Sequence, residues 1–204
     1  MRQRPLHLSG GPELSFATLV EGESNRAALC CIKAFPDWPA PVLLLLGPEG
    51  AGKTHIGEAA RQRFGVAFID AAESVDETEL FSAINSALAG ESVGLILASR
   101  VAPGAWGVEM PDLNSRLGNV PVFRLEEPGD DILAPVVSQL FLDRGRMVSA
   151  DTVEYILSRC SRSVAELERL VDSLEAEAQS ERADVTKSWV ARYLARQPDL
   201  FEVE

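Results

Sequence analysis

With 204 residues, 46% of them apolar, the chain is long enough to bury a full core as one large domain or as a large and a small one. No apolar run approaches the roughly 20 residues of a bilayer span, and the start MRQRPLHLSG lacks the apolar stretch of a secretory signal. A cytoplasmic protein without membrane association is therefore expected. Acidic residues outnumber basic ones 31 to 19, for a formal charge of −12, which opposes direct binding to nucleic acid, since that requires clustered Lys and Arg.

Residues 1–12 are polar and contain Pro and Gly, and read as an extended tail. Helical spacing runs from Ser24 to Phe35, with Ser24 or Asn25 as cap, and Pro36, Pro39 and Pro41 end it. Val42–Leu46 predicts a buried strand, GPEGAGKT a turn, and Lys53–Phe64 a helix, together one βα unit. After a minimal turn at Gly65, Val66–Asp70 predicts the next strand. Leu80, Phe81, Ile84 and Leu88 lie at helical spacing within Glu77–Ala89, and Val93–Ala98 and Pro121–Leu125 predict two more strands.

Apolar strands alternating with helices indicate an α/β fold whose mostly parallel sheet is covered on both faces. Beyond Glu126-Glu127-Pro128-Gly129 only helices are expected: Asp130–Arg144, Ser149–Arg159, Ser163–Gln179 and Thr186–Leu194. The predicted organisation is a tail (1–12), an α/β nucleotide-binding domain (13–127) and a helical lid (128–204). Cys30, Cys31 and Cys160 lack CxxC spacing and read as reduced core thiols. His7 and His55 suggest no metal site, and Trp38, Trp106 and Trp189 read as packing residues.

Gly47, four residues, Gly52, Lys53 and Thr54 form the phosphate-loop pattern G-x-x-x-x-G-K-[ST]. Its glycines let backbone N–H groups turn inward around an anion, Lys53 reaches the β and γ phosphates, and Thr54 can ligate Mg²⁺. The helix beginning at Lys53 adds its positive end. Gly47, Pro48, Glu49, Gly50, Ala51, Gly52, Lys53, Thr54 and the adjacent His55 are thus the candidate nucleotide-binding residues, for ADP or ATP. Hydrolysis asks for more: an Asp at the end of a second strand to hold Mg²⁺ and a carboxylate to orient water. Asp70 in VAFIDAAES has the first position, or else is a helix N-cap. The next residue is Ala71, so Glu73 or Glu77 would have to supply the second carboxylate.

SFATLVEGESNRAALCCI, residues 15–32, resembles the opening of the AAA+ module of the DnaA family through Phe16, Val20, Gly22, Asn25 and Ala28. The resemblance implies a AAA+ P-loop domain with a small helical lid, and places Val20 and Asn25 beside the nucleotide. PDLNSRLG, residues 111–118, is similar to the family's arginine-finger motif and puts the finger at Arg116; its alternative role is an ion pair with Asp112, one helical turn back. SVAELERLVDSL, residues 163–174, resembles the lid helix carrying the second nucleotide sensor.

Absence of a helix-turn-helix DNA-binding region after this module makes the chain look most like the Hda-like regulatory subfamily. There, the tail carries a clamp-binding peptide of the form Q-L-x-L-x-L. Gln3, Leu6 and Leu8 match it, while Arg4 takes an apolar position. Such a peptide inserts a glutamine amide and spaced apolar side chains into a preformed groove.

The sequence departs from the family at three points. The family's second βα unit is reduced to the turn at Gly65; in its sheet order 5-1-4-3-2 the missing strand is an edge, so the sheet is expected one edge strand short, with Val66–Asp70 on the metal side. The first sensor region, LILASR, ends in Ser99-Arg100 where the initiator has an acid. Ala165 occupies the lid sensor's arginine position, leaving Arg162, one turn earlier, as its candidate replacement.

These departures imply retention of nucleotide, ADP before ATP, with weak or no intrinsic turnover. The expected role is to act with the sliding clamp and promote hydrolysis of DnaA-bound ATP through Arg116 in trans. An autonomous ATPase motor or loader and an adaptor with a vestigial phosphate loop are the alternatives, and a homodimer is left open.

Overall fold

Five consecutive apolar residues, Val42–Leu46, form β1, and every one is buried. A strand without polar alternation needs cover on both faces. The computed structural model, which describes residues 14–160 and 162–196, supplies it. The chain runs α1 (Arg26–Lys33), β1, α2 (Lys53–Phe64), β2 (Ala67–Ile69), α3 (Glu77–Leu88), β3 (Leu95–Ser99), α4 (Pro111–Leu117) and β4 (Val122–Arg124). It continues through α5 (Asp130–Asp143), α6 (Ala150–Leu157), α7 (Val164–Glu181) and α8 (Lys187–Arg196).

The four strands are parallel in the order β2-β3-β1-β4. This is the order left when one edge strand is removed from the arrangement that the resemblance implied. Period-two alternation divides the central strands between two cores. Leu43, Leu45, Ile96 and Ala98 pack with Leu29, Ile32, Ile56 and Ala60 of α1 and α2. Val42, Leu44, Leu95 and Leu97 pack with Leu80 and Ile84 of α3 and Leu113 and Leu117 of α4.

The edge strands β2 and β4 have three residues each and are partly exposed, so each is shorter than the sequence predicts. On one face of β2, Gly57 lets α2 approach: a Cβ there would lie 2.1 Å from the Phe68 ring. A third core lies wholly within the helical lid, where Phe141, Leu167, Leu170, Leu174 and Trp189 meet. Beside it Arg146 Nε lies 2.8 Å from Oε1 of Glu175, which is 4% exposed.

Two expectations are corrected. The first predicted helix is shorter, Arg26–Lys33, and Asn25, one of its two expected caps, holds the N-cap position without a capping bond from its side chain. That amide turns back, accepting from Gly22 N–H and donating to Val20 C=O, both at 2.9 Å. The three thiols are free, but Cys30 is exposed, and Cys31 and Cys160 are half-buried at the margins of the cores they pack against. Burial, with the charge of Glu166, pushes the Cys160 thiol up to about 11.

Candidate nucleotide site

The phosphate loop leaves the C-terminal end of β1 beside β3, and Gly47 N–H donates to Ser99 C=O at 3.2 Å. Gly50 and Gly52 hold φ of 78° and 85°, values a side chain would strain. Gly52 is the N-cap of α2, so the helix opens onto the loop with free N–H groups and its positive dipole end. Lys53, 8% exposed, folds over the loop and donates from Nζ to Gly47 C=O at 2.8 Å and Pro48 C=O at 2.6 Å. Burial pushes its ammonium group down from the usual lysine range, and the charges of Asp70 and Glu73 act in the opposite direction.

Asp70 follows β2 directly. Its Oδ2 accepts from the Thr54 hydroxyl at 2.6 Å and its Oδ1 from Ala71 N–H at 2.9 Å. The adjacent 3-10 turn, Ala72–Ser74, is capped by Ala71 rather than by Asp70. Ala71 holds φ 47°, ψ 47°, a left-handed conformation that costs a non-glycine residue about 1–2 kcal/mol. The two side chains with Mg²⁺-binding chemistry, a hydroxyl and a carboxylate, are therefore already in contact and fit a hard cation that takes oxygen ligands.

The turn after Ala71 brings Glu73 back to the cleft, where its side chain is 12% exposed. Burial pushes the Glu73 carboxyl up. Backbone N–H groups of Glu73 and Arg100, the Ser99 hydroxyl and the Arg100 charge outweigh that and hold it below the usual carboxylate range. Arg100, just past β3, reaches across the opening, its guanidinium 3.5 Å from Glu49 Oε2 and 3.6 Å from Glu73 Oε1. From the lid, Val164, Ala165 and Glu168 of α7 close the far side of a cleft of about 460 Å³.

Several candidate residues stand away from the cleft lining. His55 does line it, and its Nε2 lies 3.0 Å from Ser15 O and 3.1 Å from Thr18 Oγ1, fastening the first described segment onto α2. Val20 and Asn25 belong to the turn described above, in which Gly22 and Asn25 are buried and Glu23 N–H donates to Asp131 Oδ2 of α5 at 2.9 Å. Gly22 is needed there, because a Cβ would meet Ile132 of α5 at 2.3 Å. Arg162 is paired with Asp130 at 3.2 Å, away from the cleft lining. Gln3, Leu6 and Leu8 lie outside the described residues.

Arg116, half-buried on α4, also lies outside the cleft lining, with its guanidinium 4.8 Å from the Phe81 ring centroid. Glu77, considered above as a water-orienting carboxylate, does something else. It accepts from the backbone N–H groups of Glu109 and Met110, both at 2.8 Å, and so pins the start of α4. One turn apart on α3, Glu77 and Phe81 hold the helix and the side chain of Arg116. The sequence reading missed this support, and treated Arg100 only as a lost acid. A carboxylate one turn before the Phe81 position was the available signal for the first, and a cation at the end of a buried strand beside the phosphate loop for the second.

No protein-family model matches the chain. A functionally uncharacterized protein of Haemophilus influenzae is 25% identical over 85% of this chain and 90% of its own length. Shikimate kinases of Xanthomonas species, such as X. oryzae, share 46% identity over 39 residues, 19% of this chain and 22% of theirs. Domain III of the replication initiation protein DnaA from Thermotoga maritima has the same fold, with TM-score 0.78 at 15% identity over 95% of this chain and 99% of that one. AMPPCP-bound DnaA from Aquifex aeolicus superimposes with TM-score 0.63 at 19% identity, covering 84% and 69%. The RuvB Holliday junction branch migration motor of T. maritima gives 0.67 at 14% identity, covering 89% and 71%. The fold is therefore that of the AAA+ domains of DnaA and RuvB: a parallel sheet with helices on both faces, followed by a helical lid. Among the described residues, no helix is long and apolar enough to cross a membrane.

Proposed function

We propose that the chain is a nucleotide-holding AAA+ regulator of the Hda-like kind, which acts with the sliding clamp to promote hydrolysis of ATP on the initiator DnaA and so restrains re-initiation of replication. One observation carries this reading. The phosphate cradle and the Thr54–Asp70 pair are complete, while the lid turns Ala165 rather than a cation to the cleft. Arg116 stands apart from that cleft, supported by α3.

In this reading the loop from Gly47 to Thr54 binds ADP in preference to ATP, and Thr54 and Asp70 would hold Mg²⁺. Such an ion would offset part of the phosphate charge. This chain's residues do the rest: Lys53 binds the phosphates, α2 directs its N–H groups at them, and Val164 and Ala165 cover the opening. Arg116 is offered to a neighbouring subunit, where a guanidinium at the transferring phosphoryl group stabilises the transition state by orders of magnitude in rate. The AMPPCP of the Aquifex DnaA structure supports nucleotide as the ligand, and the charge of −12 supports a protein partner over direct contact with nucleic acid.

The test is single-turnover hydrolysis of ATP preloaded on DnaA, in the presence of the clamp and an excess of this chain. The expected result is stimulation by the unaltered chain and its loss, by about 100-fold or more, in Arg116→Ala, with nucleotide binding by the variant unchanged. Equal stimulation by Arg116→Ala would remove the mechanism.

Glu73 favours a second reading, an autonomous ATPase. A half-buried carboxylate three residues beyond Asp70, held ionised in the cleft, has the chemistry to orient water. Steady phosphate release by the isolated chain, abolished in Glu73→Gln, would establish that alternative.

A further inference from the structure

The cleft brings four carboxylates, Glu49, Asp70, Glu73 and Glu168, to its lining, against two full cations, Lys53 and Arg100. A nucleoside triphosphate adds three to four negative charges, and Mg²⁺ offsets only part of them. Lys53 alone leaves the balance strongly unfavourable. The lid gives no help, because among the described residues its contribution to the lining is Val164, Ala165 and Glu168, and Arg162 is engaged by Asp130.

We propose that Arg100 is a phosphate-binding residue of this cleft, which takes the outermost phosphate of a bound nucleotide opposite Lys53. The proposal rests on the nucleotide-binding reading above and adds a residue that narrows the preference for ADP by holding the phosphate that ATP has in addition. Three features support it. First, Arg100 follows Ser99, whose carbonyl accepts from Gly47 N–H, so its backbone is tied to the first residue of the phosphate loop.

Second, the guanidinium is held in the opening without being saturated. Its contacts to Glu49 and Glu73, at 3.5 and 3.6 Å, are longer than the roughly 2.7–2.9 Å of a strong charge-assisted hydrogen bond. Glu49 is 87% exposed, so exchanging its carboxylate for a phosphate oxygen costs little. The planar five-donor fork of arginine matches phosphate geometry.

Third, the side chain stands on the metal side of the cleft. Glu73 accepts from Arg100 N–H at 3.2 Å and lies one short turn from Asp70, which contacts Thr54. A phosphate that reached this corner would meet the Arg100 guanidinium. Arg100 therefore performs from the end of β3 the task that a lid arginine would perform from α7, and discrimination between nucleotides depends on the body instead of on lid closure.

The test compares Mg-ATP and Mg-ADP dissociation constants, by titration of the nucleotide-stripped full chain, for the unaltered protein, Arg100→Ala, Arg100→Lys and Lys53→Ala. Arg100→Gln serves as a second variant should Arg100→Ala fail to give a normal melting transition. The expected result is a loss of about tenfold or more in ATP affinity for Arg100→Ala, a much smaller loss for ADP, and partial recovery with Arg100→Lys. Glu49→Gln should tighten ATP binding in the unaltered background and not in Arg100→Ala. An unchanged ATP-to-ADP ratio in Arg100→Ala, with binding abolished in Lys53→Ala, overturns the role of Arg100 and leaves the nucleotide site standing. Absence of binding of either nucleotide by the unaltered protein overturns both.

Discussion

The body brings Lys53, Thr54, Asp70, Glu73 and Arg100 to the cleft, whereas the lid brings Val164, Ala165 and Glu168. The charges proposed to bind phosphate and metal therefore sit on the ends of parallel strands and on the start of α2, where the sheet fixes them. The lid offers two small or apolar side chains and one acid. Its own charge pair, Arg146 with Glu175, lies beside its core and outside the cleft lining. The contrast teaches that binding and lid stability are carried by separate sets of residues and can be broken separately.

The largest effect is expected from the lid. Arg146→Ala strands Glu175, which is 4% exposed, and should destabilise the helical part by about 3 kcal/mol or more. A lowered denaturation midpoint in Arg146→Ala, with the Glu175→Met, Arg146→Met double variant recovering most of the loss, checks this. Next comes the body: Lys53→Ala should weaken nucleotide binding by about 100-fold or more through loss of the charge aimed at the phosphates, with little change in melting temperature. If both properties fell together in either variant, the separation would be wrong.

A smaller change sharpens the comparison from the other side. Ala165 is exposed on the first turn of α7 and lines the cleft, so Ala165→Arg should raise ATP affinity by about tenfold and make affinity depend on the lid. Titration of that variant beside the unaltered chain measures the gain. The smallest effect concerns pH. The Glu73 carboxyl is held below its usual range, so its stabilising contribution is complete above the unfolded carboxylate range. It is lost as pH falls through the lower folded value. Glu73→Gln should remove less than about 1 kcal/mol of stability at pH 7 and flatten the acid limb of a melting-temperature profile.

The sequence exposes these regions unevenly for physical reasons. The phosphate loop is a local pattern in which each residue's task follows from its neighbours, so Gly47 to Thr54 could be read directly. Central strands such as Val42–Leu46 are continuous apolar runs and equally plain, while β2 and β4 are short, partly exposed edges whose limits blur. Asn25 sits where a helix cap belongs, and only the folded turn reveals that its amide serves Gly22 and Val20 instead. Glu77 meets Glu109 and Met110 across more than 30 residues of chain; no local pattern announces such a contact. Arg100 was legible as a departure, yet its position between Glu49 and Glu73 depends on how β3 lies beside β1 and β2.

Calorimetric titration of the nucleotide-stripped chain with Mg-ADP and then Mg-ATP tests most directly the claim that this cleft holds nucleotide without efficient turnover. The expected result is saturable binding of ADP, tighter than that of ATP, with no continuing heat after ATP addition. Continuous heat from ATP turnover would contradict it in favour of an autonomous ATPase, and no binding of either nucleotide would contradict it by reducing the loop to a relic.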